Sequence, residues 1–314
     1  MHTMHYGTFR KLIPVIIKQS FAVALLFSSV FVYSQNDLPD IKVIKPGAVL
    51  QKISDQFSFT EGPAADRYGN VYFTDQPNNR IWIYDTTGKL AIFMDPAGRA
   101  NGMYFDQKGN LIACADEKDE LWSITPDKKV KVLLKDFNGK LFNGPNDLWI
   151  TKKGDIYFTD PYYQRDYWTR TKPDLKGQYV YYLPKGKKKA KIADSTLVKP
   201  NGIVGDPVNQ YLYVADIGGD KIYRFTLNPD GGLSNRTVFA PMGSDGLTID
   251  DEGNIYLTGK GVTIFDKEGK RLGNIPVPSR WVANVCFGGK NNDELFITAT
   301  ESVYVLKMQV HGMK

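Results

Sequence analysis

A polar turn followed by a short β-rich run recurs six times in this chain, and no other feature limits its fold so tightly. The copies read YGNVYFTD (68–75), KGNLIACAD (108–116), KGDIYFTD (153–160), VNQYLYVAD (208–216), EGNIYLTG (252–259) and NDELFITA (292–299). Their turn residues, Gly69, Gly109, Gly154, Asn209, Gly253 and Asn292, are spaced by 40, 45, 55, 44 and 39 residues. Glycine or asparagine suits that position because a tight hairpin turn needs a positive φ at low cost. The flanking Val, Ile, Tyr, Phe and Thr alternate as half-buried strands do, and no sustained helical period follows residue 34. Units of this length match four-stranded blades, and a ring of six leaves few sheet edges exposed. The pattern predicts an all-β, six-bladed β-propeller over 35–314. The strand-like segment Val43–Ile53 is expected to join the last blade and close the ring.

Residues 1–34 read as a secretory signal, with Arg10 and Lys11 ahead of an apolar stretch from Phe21 to Val32. Val32 and Ser34 then form a small-residue cleavage pattern before Gln35. An uncleaved anchor is the alternative reading of the same stretch. Either way the chain is expected to be exported, to the periplasm or beyond, where calcium is plentiful. The leader holds Arg10, Lys11 and Lys18 and no acid, so the remainder carries 37 Lys+Arg against 34 Asp+Glu. A surplus of three charges gives no reason to expect nucleic acid as a partner. Of the 3 histidines, His2 and His5 lie in the leader and His311 near the end, which nearly excludes a buried His base. Cys114 and Cys286 sit inside β-like runs and read as free buried thiols, although export permits a disulfide. The run KGKKKAK (185–191) reads as a hydrated hairpin tip.

Eight residues before each turn residue stand Glu61, Asn101, Asn146, Asn201, Asp245 and Asn284. Each is a carboxylate or a carboxamide, and four precede a glycine. The strand entering the hairpin is the innermost strand of a blade, so a constant offset brings six oxygen-bearing side chains to one end of the central channel. No Lys, Arg or His occupies any of the six positions, and unpartnered buried carboxylates are costly. A bound cation is the simplest neutraliser. Oxygen ligands of mixed carboxylate and amide type favour a hard divalent ion, Ca2+ before Mg2+ or Mn2+; Zn2+ is the poorest match, since it prefers His or Cys.

The strings TEGP (60–63), NGPNDLWITKKGDIYFTDP (143–161), KPNGI (199–203), SDGLTIDDEGNIY (244–256) and NVCFGG (284–289) resemble the gluconolactonase family that includes regucalcin (senescence marker protein) and luciferin-regenerating enzyme. The resemblance implies a six-bladed propeller with a central divalent metal. It implies Glu61, Asn201 and Asp245 as metal ligands, Asn146 as a further contact to metal, water or substrate, and Asp245 as general base. Where family members often carry an arginine, two residues before Asn146, this chain has Gly144. That leaves lactone hydrolysis as the expected chemistry, with sugar or aldonic acid lactones as the substrate class. In that chemistry water attacks a polarised ester carbonyl, and Asp245 either takes the water's proton or attacks as a nucleophile.

The longest interval between repeats follows Asp160, so 161–174 is expected to overhang the site. Its Tyr162, Tyr163, Tyr167 and Trp168 are candidates for an aromatic wall, and Arg165 or Arg170 for a contact with a carboxylate. Arg99, beside Asn101, and Trp281, near Asn284, are rim candidates for substrate binding. The nearest string to a serine-hydrolase elbow, MGSDG (242–246), lacks the first glycine, and no phosphate loop or dinucleotide fingerprint is present. Two other readings use the same face: a non-catalytic propeller that binds a protein or glycan, and an aryl-ester or phosphotriester hydrolase.

Overall fold

The computed structural model describes residues 38–313, so the leader read over 1–34 lies outside the described residues. Twenty-four strands form six four-stranded antiparallel sheets, with no helix among the described residues. After the N-terminal β1 (Gln51–Ser54), blade one comprises β2 (Thr60–Ala65), β3 (Val71–Asp75), β4 (Arg80–Tyr84) and β5 (Leu90–Met94). Blade two runs from β6 (Ala100–Phe105) through β7 (Leu111–Ala115) and β8 (Glu120–Ile124) to β9 (Val130–Leu134). Blade three holds β10 (Leu148–Ile150), β11 (Ile156–Asp160), β12 (Tyr179–Leu183) and β13 (Lys191–Asp194). Blade four holds β14 (Pro200–Asp206), β15 (Tyr211–Asp216), β16 (Lys221–Leu227) and β17 (Leu233–Ala240). Blade five holds β18 (Leu247–Ile249), β19 (Ile255–Gly259), β20 (Gly261–Phe265) and β21 (Arg271–Ile275). Blade six takes β22 (Asn284–Gly288), β23 (Glu294–Ala299) and β24 (Ser302–Lys307), and its fourth strand is β1.

Ring closure by the N-terminal segment is therefore as the pattern predicts, but the paired strand is shorter than Val43–Ile53. Only β1 lies in the sheet, with Gln51 opposite Val305 and Lys52 opposite Tyr304. Upstream, an isolated bridge joins Ile44 to Met308, Gln309 N–H bonds the Val43 carbonyl, Lys45 N–H bonds the Lys307 carbonyl, and Ile41, Val43 and Ile44 pack into the core beside Leu306 and Met308. The predicted inner hairpins are all present. At Gly69, Gly109, Gly154, Gly253 and Asn292 the backbone φ is positive, but in the fourth repeat the left-handed residue is Gln210 and not Asn209. There Asp206 accepts the backbone N–H of Val208 and of Asn209, whereas Asp66 at the equivalent place accepts those of Tyr68 and Asn70.

Apolar side chains between neighbouring blades make the core. Tyr72 of blade one meets Phe105 of blade two edge-on at 5.1 Å, and Tyr256 of blade five meets Phe287 of blade six edge-on at 5.3 Å. Each such burial is worth about 1.5–3 kcal/mol. Cys114 on β7 is buried and Cys286 on β22 half-buried, and both are free thiols. Burial pushes both thiols well above the usual range, so neither is poised as a nucleophile. The lysines from 185 to 189 are exposed in the β12–β13 connection.

Candidate functional site

The innermost strands β2, β6, β10, β14, β18 and β22 lie side by side around the channel. Glu61, Asn101, Asn201 and Asn284 belong to β2, β6, β14 and β22, while Asn146 and Asp245 stand two residues before β10 and β18. All are buried except Asp245, which keeps partial access to solvent. Adjacent blades are stitched at this level by backbone bonds: Gly102 N–H to Asn146 O at 2.7 Å, Gly202 N–H to Asp245 O at 2.7 Å, and Gly246 N–H to Ala283 O at 2.8 Å. Threonine hydroxyls add to them, with Thr159 donating to Asn201 O at 2.6 Å and Thr258 to Ala283 O at 2.9 Å.

This close approach explains the glycine that follows four of the six positions. A Cβ on Gly62 would stand 2.0 Å from the Asn101 carbonyl oxygen, and one on Gly246 2.1 Å from the Asn284 side chain. The third blade breaks the pattern: Asn146 is followed by Asp147, whose buried carboxylate lies against Gly102. Asp147 accepts the Leu148 N–H at 2.9 Å and faces the Asn284 amide at 3.5 Å. The offset that isolates the six oxygen-bearing residues passes over it. One step further along the repeat the residues are Gly62, Gly102, Asp147, Gly202, Gly246 and Val285, and Asp147 is the single charged exception in that row.

Three carboxylates thus share the channel mouth. Burial, with the neighbouring Asp245 charge next, holds the Glu61 carboxyl well above its usual range; Asp147 adds to the effect. Burial also raises Asp245 to about 6, against bonds from Trp281 and Asn201 that favour its charged form. Asp147 is raised to about 7, again chiefly by burial. Asp245 Oδ2 accepts the Trp281 indole N–H at 2.7 Å, and Glu61 Oε2 accepts the Gly62 N–H at 2.9 Å. Asn201 donates its amide N–H to the Tyr163 hydroxyl at 3.0 Å, and its Oδ1 takes no donor among the described residues.

The donor set fits a hard cation. Two carboxylates, neither with a salt-bridge partner among the described residues, meet amide side chains, and burial makes their charged forms costly without a counter-ion. Among the described residues no three or more His, Cys, Asp or Glu side chains lie close enough to hold an ion by themselves, so amide oxygens would have to complete a set built on Glu61 and Asp245.

Segment 161–174 runs from blade three over its neighbours. Toward blade four, Tyr163 reaches Asn201. Toward blade two, buried Asp116 gathers Arg165 Nε at 2.6 Å, the Tyr167 hydroxyl at 2.7 Å and, through its backbone carbonyl, the Trp168 indole at 2.9 Å. Arg170 pairs with Asp119 at 2.7 Å. Both loop arginines thus meet carboxylates of the protein itself. Tyr163 is the aromatic that touches the site residues; Tyr162 packs within the loop, against Trp168 and Arg170. A side chain at Gly144 would strike Asp116 and Trp168, which closes the position where an arginine would otherwise enter. Arg99 stays on the rim with its guanidinium 4.3 Å from the Tyr167 ring centre, and Asn101 sits beside Gly62 in the inner ring.

Residues 59–301 match the family model described as the SMP-30/Gluconolactonase/LRE-like region. A gluconolactonase of Zymomonas mobilis is 28% identical over 297 residues, covering 84% of this chain and 82% of its own length. Among solved structures, a gluconolactonase from Xanthomonas campestris superposes with a TM-score of 0.80 at 28% identity, over 87% of this chain and 95% of the other. A calcium-binding regucalcin from Agrobacterium tumefaciens, at 18% identity, covers 85% of this chain and 96% of its own, with a TM-score of 0.71, and so shares the fold. The chain belongs to the SMP-30/gluconolactonase/LRE-like family.

Proposed function

We propose that this protein hydrolyses lactones, and that Glu61, Asn201 and Asp245, with Asn146 beside them, hold a divalent cation of the Ca2+ type at the mouth of the channel. The observation that carries the reading is the convergence of Glu61 and Asp245 with Asn201 under Tyr163, in a family whose relatives include gluconolactonases. When bound, the cation supplies a Lewis acid for an ester carbonyl oxygen.

The chain's own groups do the rest. Asp245 accepts the proton of the attacking water. Its indole partner Trp281 donates to Oδ2 and so fixes the orientation of the carboxylate. Tyr163, whose hydroxyl burial pushes up to about 12, stays neutral and orients the Asn201 amide. Asn146 and Asn101 offer hydrogen bonds to ring hydroxyls, and Arg99 extends the polar rim. The folded loop above them limits water access to the carbonyl.

The test follows acid release from a panel of aldono- and alkyl lactones with Ca2+, with chelator and with Asp245→Asn. Turnover that needs both the ion and Asp245 supports the reading. A protein that takes up Ca2+ yet hydrolyses no lactone in the panel refutes it. Labelled water under single turnover then separates the base from the nucleophile: label confined to the product supports the base, and label entering Asp245 supports direct attack.

A further inference from the structure

We propose that the lactone this protein takes carries a negatively charged substituent, a carboxylate, phosphate or sulfonate, bound at the rim by Lys199 and Arg165. The inference rests on the lactonase reading and assigns that site its substrate class.

Around the mouth the side chains form a continuous arc. Arg99 lies over the Tyr167 ring at 4.3 Å, and the Tyr167 hydroxyl bonds Asp116. Arg165 Nε bonds the same Asp116 oxygen and places its guanidinium carbon 5.6 Å from the Tyr163 ring centre. Lys199 Nζ stands 3.9 Å from the centre of that ring, whose hydroxyl reaches Asn201. Of these three cations only Arg165 has a carboxylate partner, Asp116. Among the described residues neither Lys199 nor Arg99 has a salt-bridge partner, and Arg165 gives only Nε to Asp116, so both of its terminal nitrogens remain available.

A neutral sugar offers these side chains no counter-charge. Lys199 and Arg165 flank the same ring as half-buried cations and repel, and Lys199 has only the Tyr163 ring face to offset its charge. Arg165 and Lys199 both lie against the Tyr163 ring, whose hydroxyl takes the Asn201 amide, which sets the pair beside the reacting end of the site. A lactone with its carbonyl directed to Glu61, Asn201 and Asp245 would meet Tyr163 with its ring and the Lys199–Arg165 pair with a substituent beyond it. A planar guanidinium and a compact ammonium together suit an anion with several oxygens. The carboxylate released by ring opening is the other possible source of such a charge.

The experiment measures kcat/KM of the Ca2+-loaded protein for glucono-lactone and for glucaro-monolactone, which adds a carboxylate, at low and high salt. The proposal predicts that the anionic lactone is preferred by about tenfold (about 1.4 kcal/mol), carried mainly in KM and reduced by salt. Lys199→Gln should remove most of that preference, Lys199→Glu should reverse it, and Lys199→Arg should keep it. A preference ratio that is absent, or the same in all four proteins, overturns the proposal while lactone turnover leaves the parent reading intact. Gluconate inhibiting as strongly as glucarate would assign the cations to the product carboxylate and also overturn it. If no lactone is turned over, calorimetric titration with glucarate decides independently: binding weakened by Lys199→Gln supports the anion site, and equal binding rejects it.

Discussion

Asp147→Asn should change stability in opposite directions with and without a cation. In the ion-free fold, burial raises the Asp147 pKa from 3.8 to about 7. A carboxyl whose folded pKa exceeds its unfolded one favours the protonated fold. Its ionised form is therefore a penalty that is absent below pH 3.8, grows between 3.8 and about 7, and is fully present above. A shift of about three units corresponds to at most about 4 kcal/mol. Asparagine keeps the shape and the bond to Leu148, and gives up the 3.5 Å contact with Asn284 at a cost of about 1 kcal/mol. In chelator at a pH of about 8 the variant should thus be more stable by about 1–3 kcal/mol, and at pH near 4 the gain should vanish. With Ca2+ present the sign turns, because Asp147 lies within the field of Glu61 and its charge helps retain the ion. Thermal unfolding of both proteins at the two pH values, with chelator and with Ca2+, reads all four cases. Equal effects in the four conditions would refute the reasoning.

Trp281→Phe removes the indole bond that favours ionised Asp245, so its pKa should rise above about 6 and protons should compete with Ca2+ at higher pH. A shift of about one unit in the pH at which Ca2+ uptake fails is expected, and an unmoved profile would show that the bond does not act on Asp245. Gly62→Ala forces a Cβ to within 2.0 Å of a backbone oxygen at a φ of +45°, which only main-chain movement can relieve. Unfolding should show a loss of about 2–5 kcal/mol, with Ca2+ affinity falling alongside because Gly62 also holds Glu61.

The fold was legible because its signal is repetition. Six turn residues at a common interval define the blades, and eight residues back the same register picks out the inner ring. Where one copy slips, as at Asn209 and Gln210, the average pattern hides it, because this turn lacks the glycine that takes the positive φ beside the equivalent aspartate in the first, second and fifth blades. Position along the repeat was readable for Glu61, Asn101, Asn146, Asn201, Asp245 and Asn284, but side-chain engagement was not. The loop shows the difference. Its composition announces aromatics and arginines, yet only the fold reveals that Asp116, from another blade, captures Arg165 and Tyr167, and that Tyr163 rather than Tyr162 meets Asn201. Asp147 escaped for a related reason: its neighbourhood is made by Gly102 and Asn284, one blade and three blades away in the chain.

Calorimetric titration of chelator-stripped protein with Ca2+ tests most directly whether the channel residues act as one ligand set. One ion per chain should be taken up, with affinity lowered by at least about a hundredfold in Glu61→Gln and in Asp245→Asn. No uptake by the unaltered protein, or uptake indifferent to both substitutions, would contradict the account.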